Sequence, residues 1–217
     1  MRRFVRCALW LAMVAAVPAQ AALPAALQTF VAGLTSFSAE IEQHVRDAGG
    51  HDVAAGRGTL SVQRPGRFRW EYRPATSANG LADGGQLLLA DGRNLWLYER
   101  DLAQATVRDA GSTESAAPML LLSGDPAQIE AAFTLTAEPD HDGLRWVAVQ
   151  PRAAAADFAR AELAFRGPDL VRMIISDKIG QLTTLVITRS QRNPRLDPGL
   201  FRFTPPAGVD VIGTVQR

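Results

Sequence analysis

The sequence predicts a mainly β protein, a single continuous antiparallel sheet that bends on itself and is interrupted by a short helical insertion. Polar and apolar residues alternate with period two over much of the chain beyond residue 37. Turn-forming residues recur between these runs at short intervals, too close for βαβ units. One stretch, 116–124, is instead apolar on nearly every side of a helix, so more than one of its faces must be covered. With 217 residues, 47% of them hydrophobic and 21% charged, the chain can bury a sizeable core.

The first 21 residues are set aside from the fold. Arg2, Arg3 and Arg6 give a basic start, residues 8–17 an apolar run, and Ala19-Gln20-Ala21 a small-x-small exit. That combination is expected to be a cleaved signal peptide, too short for a membrane span, leaving 22–217 as a single domain. Removing its three arginines from the 23 basic residues leaves 20 against 22 acidic ones, a mature charge of −2. The basic whole-chain balance therefore implies no nucleic-acid partner, and no basic face interleaved with aromatics is present. Cys7, the chain's one cysteine, leaves with the segment. The expected mature protein has no disulfide and no lipid anchor of its own. It is exported to the periplasm, without stable membrane insertion, as a monomer.

The elements follow in order. Leu27, Phe30, Val31 and Leu34 fall on one face of a helix spanning 24–34. In 37–45 the odd positions are mostly apolar and the even ones polar, a half-buried strand. Strand 58–64 turns Leu60 and Val62 inward, and after Pro65-Gly66 strand 67–72 sets Phe68, Trp70 and Tyr72 opposite Arg67, Arg69 and Glu71. Strands 86–90 and 94–98 meet across Asp91-Gly92-Arg93, and 104–108 follows. Beyond the insertion come 133–137, 144–150, 161–165, 171–176 and 182–188, about eleven strands in all. Within the insertion, Asp125-Pro126 caps and starts a second short helix after the apolar one. The apolar helix either plugs the sheet as plain core or acts as a lid that shares its surface with a ligand.

No catalytic or cofactor-binding pattern emerges. His44, His51 and His141 lack metal-ligand spacing and read as solvated surface residues. There is no nucleophile elbow and no phosphate loop, so neither an enzyme nor a cofactor is expected. The aromatic set Phe68, Trp70, Trp96, Tyr98 and Trp146 reads as core. Arg64 breaks the pattern, because its parity matches Leu60 and Val62 and an isolated buried cation is costly. Either the strand ends before Pro65 and the side chain escapes to water, or its donors meet the open carbonyls of the apolar helix near 122–124.

Several strings, in order, resemble one known family. They are Phe37-Ser38-Ala39-Glu40-Ile41-Glu42-Gln43, Arg64-Pro65-Gly66-Arg67-Phe68-Arg69-Trp70 and Asp91-Gly92-Arg93-Asn94-Leu95-Trp96-Leu97-Tyr98. Gln104-Ala105-Thr106, Pro118-Met119-Leu120-Leu121 and Phe201-Arg202-Phe203-Thr204-Pro205-Pro206-Ala207-Gly208-Val209 complete the series. Together they resemble the periplasmic outer-membrane lipoprotein carriers, the LolA family, over nearly all of the mature chain. The resemblance implies an incomplete, open antiparallel β-barrel of about eleven strands closed by a lid of short α-helices. It implies a hydrophobic cavity for the acyl chains of lipoproteins, which arrive from an inner-membrane ABC transporter and leave to an outer-membrane receptor, LolB. Arg64 takes the family's lid-latching arginine and Phe68 its cargo-handling phenylalanine. Leu60, Val62, Trp70, Met119, Leu120, Leu121 and Leu122 would line the cavity and lid. Ser61 stands where some relatives carry tryptophan, and Ala117 replaces a polar residue before Pro118.

Two other classes compete. A related half-barrel lipid-binding module could be a sensor or a glycolipid or pigment carrier, but a sensor needs an extra domain and a LolB-like receptor a lipidated first cysteine. A lipid hydrolase needs a catalytic group that the sequence does not present.

Overall fold

Strand alternation sorts side chains onto two faces, and here the two faces meet different fates. The computed structural model describes residues 23–75, 84–110, 117–154, 156 and 158–216. The expected signal peptide lies outside them.

Helix α1 (Ala25–Val31) leads into β1 (Ser36–Arg46), β2 (Asp52–Gln63), β3 (Arg67–Pro74), β4 (Gln86–Asp91), β5 (Asn94–Glu99) and β6 (Gln104–Asp109). Helices α2 (Ala117–Ser123) and α3 (Pro126–Ala132) interrupt. Then come β7 (Phe133–His141), β8 (Leu144–Pro151), β9 (Arg160–Arg166), β10 (Asp169–Ser176) and β11 (Leu182–Arg192). A 3-10 turn, Pro198–Phe201, precedes β12 (Asp210–Gly213).

Among the described residues twelve strands form one sheet in the order β12-β6-β5-β4-β3-β2-β1-β11-β10-β9-β8-β7. Every junction is antiparallel except β12–β6, which is parallel. The ends β7 and β12 do not pair, so the barrel stays open. Opposite Glu40/Ile41 and Val45/Arg46 of β1 the register shifts by one extra residue in β11 and in β2, and β10 carries one between Leu170 and Arg172, which bends the sheet. Two expectations need correction. The sheet has a twelfth strand, β12, which is fully exposed, and β2 begins at Asp52 rather than at residue 58.

The inner face holds the main core. Phe37, Ala39 and Ile41 of β1 are buried beside Leu60 and Val62 of β2, with Phe68 of β3 next in line. Phe30 of α1 packs edge-on against Phe37 at 5.6 Å and against Phe165 at 5.8 Å. The outer face carries two smaller core clusters, so the aromatics read as core divide among three clusters. Trp96, with Leu87 and Leu89, is covered by the C-terminal segment, whose Phe203 lies 5.3 Å from Trp96 and 5.4 Å from Tyr98. Trp146 packs with Leu144 and Ala164 in the other, and His141 stacks on it at 4.5 Å.

Candidate functional site

The site lies where the α2–α3 insertion closes over the inner face of the sheet. Alternation alone fixes the floor. Phe68 pairs with Val62 and Trp70 with Leu60 across β2–β3, so these four inner side chains form a contiguous apolar patch. Phe68 is 1% exposed and Val62 fully buried, while Trp70 is half-buried.

Helix α2 forms the cover. Leu121 and Leu122 are buried against the sheet and Leu120 is partly so. The side chain of Met119 lies outside the described residues. Helix α3 follows at once because Asp125 caps it. The Asp125 carboxylate accepts from the Gln128 amide at 2.9 Å, and the Gln128 side chain accepts from the Asp125 amide at 3.1 Å, a reciprocal pair that stops one helix and starts the next.

Between cover and floor runs a slit lined by Ile41, Leu60, Phe68, Trp70, Leu122, Leu170, Met173, Leu185 and Ile187, with about 20 Å³ of open space. Measured as room for the centre of a water-sized sphere, that is space for about one water, far short of an acyl chain.

At one end of this slit the β2–β3 hairpin meets the C-terminus of α2 through Arg64 and Gly66. Strand β2 ends at Gln63, one residue before Arg64, yet the Arg64 side chain does not escape to bulk water. Its Nε donates to Leu122 O at 3.1 Å, and its Nη1 makes a longer contact of 3.5 Å with Val31 O of α1. The Gly66 amide donates to Ser123 O at 3.3 Å, and Gly66 can do so because it takes φ +71, a conformation that favours glycine. The last carbonyls of a helix have no intrahelical partner, and the dipole makes that end electron-rich, so a guanidinium suits it.

Opposing electrostatic influences act on Arg64. Burial pulls the Arg64 guanidinium below its ordinary pKa, Asp125 pushes it back up, and the nearby Arg192 lowers it again. Arg64 Nη2 is buried with no acceptor among the described residues. The cation therefore bonds to the ends of α2 and α1 while one of its nitrogens stays without an acceptor among the described residues.

Pattern reading missed Arg192 and Asn193. Arg192 Nη1 donates to Phe30 O at 2.8 Å and its Nη2 to Ala32 O at 3.3 Å, while Asn193 Nδ2 donates to Gly33 O at 3.0 Å. These bonds tie α1 to the end of β11, so Arg64 bridges a fixed helix and the cover. The only sequence hint is Arg192-Asn193-Pro194, a strand ending in a cation and a turn residue. The three histidines lie apart: His44 is exposed, His51 sits 3.3 Å from Asp47, and His141 covers Trp146.

With this geometry in hand, the comparisons are specific. A family model for outer membrane lipoprotein carrier protein LolA matches residues 32–204. A curated relative from Chromobacterium violaceum, named outer-membrane lipoprotein carrier protein, is 36% identical over 197 residues, covering 91% of this chain and 90% of its own. One of the same name from Dechloromonas aromatica is 35% identical over 187 residues, 86% of each chain. Among solved structures, an uncharacterized conserved protein from Thermus thermophilus shares the fold, with TM-score 0.50 and 13% identity over 86% of this chain and 94% of its own. A LolA superfamily protein from Nitrosomonas europaea aligns at TM-score 0.45 and 13% identity, over 82% of this chain and 94% of its own. A family match over most of the sequence and relatives of the same length place this chain in the outer membrane lipoprotein carrier family, LolA.

Proposed function

We infer that the protein is a periplasmic carrier that takes the acyl chains of lipoproteins between the α2–α3 cover and the inner face of the sheet. The observation that supports this reading is the apolar slit under α2, with Arg64 hydrogen-bonded to Leu122 O at one end of it. Lipoproteins released by an inner-membrane ABC transporter would enter there and pass on to an outer-membrane receptor of the LolB kind. Arg64 is the latch in this scheme, and Phe68 the contact that cargo must displace or cover.

The energetics suit a shuttle. A fully buried long acyl chain gains about 0.8 kcal/mol per CH₂, so about 10 kcal/mol or more in all. Held at full strength, that cargo would hardly leave. Opening costs a hydrogen bond to a charged donor, about 2 kcal/mol, and the burial of Leu121 and Leu122, about 2 kcal/mol each. Loading therefore returns much of its gain as the cost of holding the cover open, and the loaded state is left only moderately stable.

The direct test is to purify the protein from its native periplasm and identify what travels with it by mass spectrometry. Co-purified acylated lipoprotein is the expected result. Free glycolipid or pigment in its place would point to a related half-barrel carrier and would overturn the lipoprotein assignment.

A further inference from the structure

The inner row of β1 contains one polar side chain. Phe37, Ala39, Ile41 and Val45 are buried there, and Gln43 stands between the last two. Its amide oxygen is buried, and no described residue donates to it. A buried acceptor left without a donor destabilises the protein that holds it, so its complement is a donor brought by whatever enters.

Its place in the fold says what kind of donor. Gln43 pairs with Leu185 on one side and Gly56 on the other. Ile41, two residues back on the same face, and Leu185 both line the apolar slit. The amide thus lies one register step beyond the slit, at the end away from Arg64. One step further, Val45 pairs with Ala54, which is exposed, and Val45 itself lies outside the continuous inner core. Gln43 therefore lies at the boundary where the continuous inner core ends, close to exposed β2 residues.

The neighbouring strands add polar edges at the same level. A Cβ at Gly56 would lie 2.5 Å from the Tyr72 ring, and one at Gly58 would lie 3.4 Å from Trp70 Nε1. The two glycines let Tyr72 and Trp70 lean across β2 toward β1. Burial holds the Tyr72 phenol above its ordinary pKa, so it stays a neutral donor. A tyrosine and a tryptophan each present an apolar body with one donor at the tip, which suits the root of a lipid.

We propose that Gln43, flanked by Tyr72 and Trp70, is the subsite for the polar root of an acylated lipopeptide. The Gln43 oxygen accepts the N–H of the cargo's secondary acyl amide, and the Tyr72 hydroxyl and Trp70 indole donate to its ester carbonyls. The acyl chains run from there along the slit toward Leu122 and the latch, and the peptide leaves on the side of the exposed β2 residues. This rests on the carrier reading and deepens it by giving the cargo a direction.

The test uses the mature protein and a fluorescent triacylated lipopeptide, beside the same lipopeptide with its acyl amide N-methylated. The wild type is expected to bind the N–H form roughly tenfold more tightly, the loss that follows when a buried acceptor is left unpaired. Gln43→Met keeps the side chain's length and removes the acceptor, so it should bind both lipopeptides alike. It should also melt no lower than the wild type, whereas a purely structural glutamine would cost stability on replacement. Equal binding of the two lipopeptides by the wild type overturns the subsite and leaves the carrier standing. So does a Gln43→Met variant that keeps the tenfold preference. Binding of neither lipopeptide overturns both readings. The wild-type comparison decides the matter even if the variant does not fold.

Discussion

In the proposed scheme, the single side chain of Arg64 tunes how readily the cover opens. Its guanidinium reaches Leu122 O and Val31 O, and so bridges the cover and a helix that Arg192 and Asn193 hold in place. Arg64→Leu removes the attractive contact of the closed form and leaves Leu122 O without that donor. Opening becomes easier, so cargo should load as in the wild type or better. Release should suffer, because less free energy is recovered on closing. With about 2 kcal/mol at stake, transfer to a LolB-type acceptor is expected to slow by roughly tenfold or more. A release assay with fluorescent lipoprotein measures this, and transfer at the wild-type rate would remove the latch from the mechanism. Arg64→Lys is the finer version. A point-like ammonium cannot span two carbonyls as the planar fork does, so it should fall between the two.

At the scale of elements, the insertion works because its two helices are stopped and started by side chains rather than by length. Seven residues make a poor helix alone. Asp125→Ala removes the reciprocal cap of α3 and should cost about 1 kcal/mol, seen as a melting temperature lower by about 2–4 °C. The same change removes the carboxylate that favours the charged Arg64, so the cover should also open more readily. The edge strand β12 is a second such device. Its parallel pairing with β6 is fastened by Asn94, which donates to Gln216 O at 3.0 Å and accepts from the Gln216 amide at 2.7 Å. Deleting residues 210–217 bares the β6 edge, a template for pairing between chains. Sedimentation should then show concentration-dependent self-association that the full chain lacks. These elements also mark the limits of sequence reading. Period-two runs such as Phe68, Trp70 and Tyr72 were legible because burial on one face imposes alternation. Strand β12 was not, since four exposed residues bury nothing and leave no pattern. The start of β2 was hidden by Ala54, Ala55 and Gly56, which pair with β1 without strand-forming side chains. Arg64 was visible as a breach of parity, whereas its bond to α1 depends on tertiary placement that no local pattern encodes. Gln43 was passed over, because one polar residue among mostly apolar odd positions reads as ordinary strand alternation.

On the scale of the whole molecule, an open sheet with a closed slit means that cargo binding and conformational change are one event. With room for about one water, the slit must widen before it can take an acyl chain along this route. The sheet cannot yield by much. Its strands are hydrogen-bonded to neighbours on both sides everywhere except at β7 and β12, and register is fixed by inner side chains throughout. The cover is held by fewer ties, two of them the Arg64 and Gly66 bonds to α2. Ligands shift a population only as far as they bind one state better, and here the buried chain supplies that difference wholly to the open form. Hydrogen exchange on the empty and lipopeptide-loaded protein reads the consequence. Amides of α2 and the Gly66 amide should exchange faster when loaded, while those of β1, β2 and β11 keep their protection. Arg64→Leu should show the fast α2 exchange already when empty. Slower exchange of α2 on loading, with strand amides deprotected instead, would mean that the sheet opens and the helices stay, which would reverse the assignment of moving and fixed parts.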